Sequence, residues 1–382
     1  MIYLDNAATA SYNEVDDIII DTMVKAMKRY WQNPSSLYAS DVKEEIDKCR
    51  ANIAKFIGAK PEEIIFTSGA SESNNMAIRG YVDYMWKIHE KTIIIITTPI
   101  EHKSILRAVE SPCLSAFAYY CDVDKYGMVD LNSLEELMQY RKNDSILVSV
   151  CMANNEIGVI QNIKKISELV HKYNGVLHVD ATQALGHIPV NVETLGIDML
   201  SCSGHKISPV LKGIGFLYKR NGIDIQPLIY GTQENGLRGG TTNTFGIIGL
   251  SKAIEYCDVN WWKIEELVNK RDYFINQLET KFGCKLNGHN EYRLPNNINV
   301  TFSQNITGES ILYMLEISGI QISTGSACNS KSIQPSHVLK AIGLTDEEAI
   351  RTVRFTLPDD ITYEQIDKVI NEIDKAIKII ES

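Results

Sequence analysis

Two short apolar runs end in groups that could do chemistry. Asp180 closes Val176–Asp180 (VLHVD), and Lys206 follows Met199–Ser203 (MLSCS) within Ser203-Gly204-His205-Lys206. A carboxylate ending an apolar strand is costly unless something positive pairs with it, such as a protonated ring nitrogen or a nearby arginine. A lysine at the mouth of a sheet is commonly a solvated charge. When it is partly desolvated its pKa falls, and its amine can form a Schiff base with a carbonyl. Further polar groups follow two other runs. Ala70-Ser71-Glu72 comes after 63–69 (EIIFTSG) and suits either an ordinary capped helix or a helix N-terminus that takes an anion. Asn154-Asn155 comes after 145–150 (SILVSV) and suits a polar ligand or a turn. Cys328 stands among small and polar residues, Ser323-Thr324-Gly325-Ser326-Ala327-Cys328-Asn329-Ser330, unlike a core cysteine. On a loop after a strand its thiolate could be a nucleophile, or it could have no role.

The elements that must position these groups alternate. Strand-like runs at 63–69, 92–98, 145–150, 176–180, 199–203 and 213–219 are rich in Ile and Val and stop at polar residues or glycine. Helical patterns lie between them at 72–89, 131–141 and 163–173. Such β–α alternation predicts an α/β fold, a mostly parallel sheet flanked by helices, with ligands beyond the carboxyl ends of its strands. Asp180 and Lys206 both lie there. Together they fit one cofactor, pyridoxal 5'-phosphate, bound at Lys206 with its pyridinium nitrogen paired to Asp180. After about 249 the pattern changes. A helical stretch over 247–281 precedes strands at 297–302, 320–323 and 352–357 and helices at 310–318, 336–342 and 363–380. This predicts a large domain over 13–250 and a smaller α+β domain formed by 1–12 and 251–382, the latter carrying the cysteine loop.

Composition excludes several classes. The 382 residues carry 38 basic and 48 acidic side chains, a formal charge of −10, so no basic face for nucleic acid is indicated. The eight cysteines form no CxxC pair and do not cluster with the histidines, so no metal site is expected. The N-terminus MIYLDNAATA lacks a basic n-region, and no apolar run approaches the roughly 20 residues of a membrane span. A reducing, cytoplasmic setting with free thiols is expected. Cys151, Cys202, His178 and His187 read as packing residues.

The ordered set YLDNAAT, NPSS, FTSGASESNN, EHKSI, NNEIG, HVDATQ, SGHK, GLRGGT and TGSAC resembles the pyridoxal-phosphate cysteine desulfurases of the NifS/IscS kind, in the class V branch of the fold-type I aminotransferases. The resemblance runs from Tyr3 to the end of the chain. It implies that Lys206 forms the Schiff base and moves the Cα proton, that Asp180 keeps the ring nitrogen protonated, and that Gln183 reaches the ring hydroxyl. His102 would stack on the ring and transfer protons. Ala70, Ser71, Ser203 and His205 would serve the phosphate, as would Thr241 from a second subunit, which implies a homodimer. Asn155 and Arg354 would hold the carboxylate of L-cysteine, since a guanidinium fork matches a carboxylate bidentately. Asn155 would also lie against the cofactor. The Cys328 thiolate would attack the substrate sulfur, leaving L-alanine and a persulfide whose sulfur passes to an acceptor protein.

The chain departs from the family pattern at Ser208–Pro209–Val210–Leu211–Lys212, one residue longer and without the usual Gly-Pro. Tyr38 replaces a histidine, Ser40 a glycine and Ser71 a threonine. A C-terminal extension of longer members that meets an iron–sulfur scaffold is not expected. Thiolation of tRNA, phosphorothioation of DNA, iron–sulfur assembly or another sulfur pathway all stay open as destinations. Selenocysteine lyase, cysteine C–S lyase or another class V activity is the alternative, and a non-catalytic partner protein a second.

Overall fold

The computed structural model describes residues 1–112, 114–259, 263–324 and 335–381. Cys328 lies outside them. The chain opens with β1 (Ile2–Tyr3), α1 (Glu14–Arg29), α2 (Ser40–Ile57), β2 (Ile64–Thr67) and α3 (Ala70–His89). There follow β3 (Ile93–Thr97), α4 (Lys103–Val109), β4 (Ala116–Tyr120), α5 (Leu131–Tyr140), β5 (Ser145–Cys151) and α6 (Ile163–Lys172). Next come β6 (Val176–Asp180), α7 (Val192–Leu195), β7 (Met199–Ser203), β8 (Gly215–Lys219) and α8 (Thr244–Val259). The remainder is α9 (Lys263–Phe282), β9 (Lys285–Leu286), β10 (Asn297–Thr301), α10 (Gly308–Ile317), β11 (Ile320–Gln321), α11 (His337–Ala341), α12 (Asp346–Ile350), β12 (Thr352–Thr356) and α13 (Tyr363–Glu381).

Seven strands form one sheet in the order β2-β8-β7-β6-β5-β3-β4. All neighbours are parallel except β8, which runs antiparallel to both β2 and β7. The apolar runs are continuous because both faces are covered. Side chains alternate between faces. Ile94, Ile96, Val148 and Val179 pack in one core with α1, α2, α5, α6 and α8, whereas Ile93, Ile95, Leu147 and Met199 pack in another against α3 and α4.

A separate core unites Ile2 and Leu4 with α9, α10, α13 and the antiparallel strands β12-β10-β9. The parallel pair β1–β11 ties the chain start into this smaller unit. The helical stretch expected over 247–281 resolves into α8 and α9, which belong to different cores. Ala253 and Ile254 pack in the large core, past the expected boundary at 250. Strand β4 (AFAYY) escapes the sequence pattern because it is an edge strand with Phe117 and Tyr120 exposed. No described helix is long and apolar enough to cross a membrane.

Candidate active site

A cleft of about 1130 Å³ opens beyond the carboxyl ends of β3, β5, β6 and β7. Ala70, Ser71, His102, Asn155, Asp180, Gln183, Ser203, His205, Lys206 and Arg354 all line it. Thr241 does not; it is exposed on the loop before α8. Ser323 and, beyond the undescribed stretch, Pro335, Ser336 and His337 also line the cleft. Both described ends of the segment carrying Cys328 therefore reach it.

Lys206 ends a one-turn helix directly after β7. Its Nζ donates to the carbonyls of Ala7 and Ala8, each at 2.6 Å. Burial lowers its pKa from 10.5 to about 8, helped by the nearby Arg354 charge and opposed by Asp5 and Asp180. About a tenth of the amine is thus neutral and nucleophilic at pH 7, far more than for an ordinary lysine.

Asp180 is buried at the end of β6, opposite Cys151 on β5 and Ser201 on β7. One carboxylate oxygen accepts from the Asn74 side-chain amide at 2.7 Å and the other from the Thr182 backbone at 2.9 Å. No described cation forms an ion pair with it. The Asn74 amide also donates to Ser104 Oγ at 2.9 Å, and Ser104 Oγ meets His102 Nδ1 at 2.8 Å. His102 caps α4, its Nδ1 accepting from the Ser104 N–H at 3.1 Å. With Nδ1 so engaged, the neutral ring carries its proton on Nε2. Burial holds His102 below its ordinary pKa, so the ring is mostly neutral at physiological pH.

The anion end of the cleft is the N-terminus of the 20-residue helix α3. Its first N–H groups have no partner within the helix, and the dipole favours negative charge there. Gly69 precedes it at φ +146°, and a Cβ would come 3.2 Å from Ser203 Oγ. Ser203 Oγ lies 2.8 Å from His205 Nδ1. Under this turn sits Gly215, where a Cβ would meet the Cys202 carbonyl at 2.4 Å and Gly69 Cα at 2.7 Å. Gly215→Ala is therefore expected to destabilise the fold by about 1–3 kcal/mol and to weaken anion binding. Denaturant unfolding and phosphate titration check this. Unchanged values in both would mean that the turn tolerates displacement.

Several site residues had no signal of their own. Arg238, in GLRGGT, forms a two-point contact with Glu72 of α3 at 2.9 and 3.3 Å, fastening the Thr241 loop beside the anion end. Glu101 is buried, accepts from Thr98 at 2.6 Å, and is pushed up to about 8 by burial. Its backbone carbonyl accepts from His337 Nε2 at 3.0 Å. Ser336 donates a short hydrogen bond to the buried Glu156. Asn74, Ser104, Glu101 and Glu156 sat inside motifs already quoted, so position within a motif was the available signal. The altered segment joins α1 through a short hydrogen bond from Ser208 to the buried Asp16, while Lys212 lines the cleft.

Five of the described cysteines are poor nucleophiles, and a sixth, Cys257, does not line the cleft. Burial pushes the thiols of Cys49, Cys121, Cys151, Cys202 and Cys284 above their ordinary value, which keeps them un-ionised. Cys151 lines the cleft but is held this way by burial together with Glu101 and Asp180. His178 is buried between Ser149 and Ser201, at 2.8 and 2.9 Å, and pushed down to about 4. Among the described residues no group of His, Cys, Asp and Glu could hold a metal.

The residues fit pyridoxal phosphate. That group needs an amine for its aldehyde, a carboxylate for its ring nitrogen and a cradle for its phosphate. Among the described residues Lys206 supplies an amine bound only to carbonyls and Asp180 a buried carboxylate without a cation, while Gly69 with α3 supplies a cradle that a Cβ would crowd. The orphaned buried Thr182 Oγ1 and Asn74 Oδ1 leave further polar capacity beside Asp180.

The family model for class V aminotransferases matches residues 2–369. A cysteine desulfurase IscS of Dictyoglomus turgidum is 43% identical over 99% of this chain and 94% of its own. A solved NifS-like protein superposes with a TM-score of 0.89 at 32% identity, covering 99% of both chains. A structure described as SspA in complex with cysteine has a TM-score of 0.79 at 33% identity, covering 94% of this chain and 99% of its own.

Proposed function

The chain belongs to the class V aminotransferase family, within it to the cysteine desulfurases, and on that premise we propose that it takes sulfur from L-cysteine onto Cys328, releases L-alanine, and hands the sulfur to an acceptor protein. The observation that carries this reading is the meeting of Lys206, Asp180, His102 and Arg354 in one cleft with both described ends of the Cys328 segment. Family members depend on pyridoxal phosphate. Here Lys206 would hold it, with Asp180, Gln183, His102, Asn155, Ala70, Ser71, Ser203 and His205 around it. When bound, it supplies an electron sink for the electrons of a broken Cα–H bond.

The protein's own groups do the rest. Asp180, buried at the end of β6, would hold a proton at the cofactor's ring nitrogen. The Asn74 amide bonded to it fixes the orientation of the carboxylate. Lys206 Nζ, neutral in part near pH 8, accepts the Cα proton of the substrate. His102, which lines the cleft, presents Nε2–H as a hydrogen-bond donor there. Arg354 and Asn155 receive the substrate carboxylate. The Cys328 thiolate attacks the substrate sulfur; an S–S bond forms, the Cβ–S bond breaks, and a persulfide stays on Cys328. Gln183 keeps the chain start in place, since its side-chain amide donates to the Ala7 carbonyl at 2.9 Å.

The exposed Thr241, on a loop fixed to α3 by Arg238 and Glu72, is suited to donate to the phosphate of a second copy, which supports a homodimer. A cytoplasmic setting suits a reaction that depends on a free thiolate. The test is product stoichiometry: with L-cysteine and a reductant, the protein is expected to yield alanine and sulfide in equal amounts. Pyruvate and ammonia in place of alanine would establish a C–S lyase, and no turnover would leave a partner role.

A further inference from the structure

The motif YLDNAAT contains an acid that the mechanism above does not use. Asp5 Oδ1 forms an ion pair with Arg354 Nη2 at 2.5 Å. Arg354 Nη1 donates to the Asn155 carbonyl at 3.1 Å, and Arg354 Nε is buried with no hydrogen-bond partner among the described residues. In a guanidinium, Nε and Nη2 form the side edge that grips a carboxylate at two points. Asp5 thus occupies one position of that edge and leaves the other vacant.

Asp5 is fixed there by its backbone. It bridges to Thr356, two residues beyond Arg354 on β12. The Asn6 side-chain amide donates to the Thr356 carbonyl at 2.9 Å, and Tyr3 donates to the Asp5 carbonyl at 3.0 Å. The following residues, Ala7 and Ala8, receive Lys206, and the Ala10 N–H donates to the His205 carbonyl at 3.1 Å. The strap of residues 5–10 therefore spans both halves of the cleft, and Asp5 is not free to swing away with its backbone. An incoming carboxylate must displace the Asp5 side chain from Nη2 or share the guanidinium with it, close to a like charge.

We propose that Asp5 is an affinity-setting residue that competes internally for Arg354, holding down the affinity of the site for the carboxylates of both substrate and product. The inference rests on the reading of Arg354 as the carboxylate anchor. Because substrate and product carry the same carboxylate, the competition weakens both alike, raising KM and speeding release of L-alanine.

The test compares wild type with Asp5→Asn, a near-isosteric change that removes the charge. In the holoenzyme, KM for L-cysteine and the inhibition constant of L-alanine are expected to fall together by about tenfold, as for other close charge pairs at binding sites. Propionate binding, measured by calorimetry on holoenzyme and on cofactor-free protein, is expected to tighten in parallel. Asp5→Glu is expected to restore weak binding. In wild type, saturation with L-alanine is expected to expose the Asp5 carboxyl to carbodiimide labelling, a readout that needs no variant to fold. Unchanged or weaker carboxylate binding in Asp5→Asn, or labelling indifferent to L-alanine, would overturn the proposal and make Asp5 an orienting group. Propionate binding requires no turnover. Failure of the desulfurase reading therefore shows as absent turnover in wild type, separately from any failure here.

Discussion

Replacing Lys206 by alanine is expected to lower L-cysteine turnover by about 10³-fold or more, within the range for loss of a positioned acid–base group. Two functions go at once: the amine that bonds the cofactor aldehyde, and the base that takes the Cα proton. The fold should survive, because among the described residues Nζ is tied to two carbonyls of the strap and forms no ion pair. The check is borohydride trapping, which should label wild type at Lys206 and leave the variant unlabelled. The pH dependence has a definite sign. Burial lowers the folded-state pKa to about 8, so the neutral amine predominates above that value and declines by about tenfold per pH unit below it. Cofactor uptake by cofactor-free wild type should therefore rise with pH and level off near 8. A rise that continued to the ordinary lysine range would mean that the amine is not desolvated in solution.

Cys328→Ala is expected to abolish the protein-bound persulfide and to cut sulfide release with cysteine by about 10²-fold or more, comparable to losing a principal catalytic group. Cofactor binding should persist, because none of the groups assigned to it depends on this thiol. The one described cysteine lining the cleft, Cys151, is a poor substitute, because its thiol is kept un-ionised by burial and two carboxyl groups. Alkylation and peptide mapping after L-cysteine treatment should place the added sulfur on the peptide containing residue 328. Full sulfide output in the variant would remove the persulfide route and favour direct C–S cleavage.

Much of this site was legible before the fold. Asp180 and Lys206 stand where apolar runs end, and a run of Ile and Val buried on both faces marks a central strand whose end faces a ligand. The unbroken apolar run made Ile93 through Ile96 readable as a strand covered on both faces, and the half-exposed edge strand β4 carries no such run. The sequence by itself also determined the chemistry available, because a lysine, a carboxylate, an imidazole and a guanidinium are fixed by residue type. Only the tertiary structure decided which of them meet. Asn74 reaches Asp180 across 106 positions, His337 reaches Glu101 across 236, and Asp5 reaches Arg354 across 349. Local periodicity carries no information on such pairings. They depend on the strand order β2-β8-β7-β6-β5-β3-β4, on the antiparallel insertion of β8, and on the return of the chain start to the small domain beside β11 and β12. Lys206 is desolvated for the same reason: its pKa is a property of the cleft that burial and Arg354 create, not of the motif SGHK.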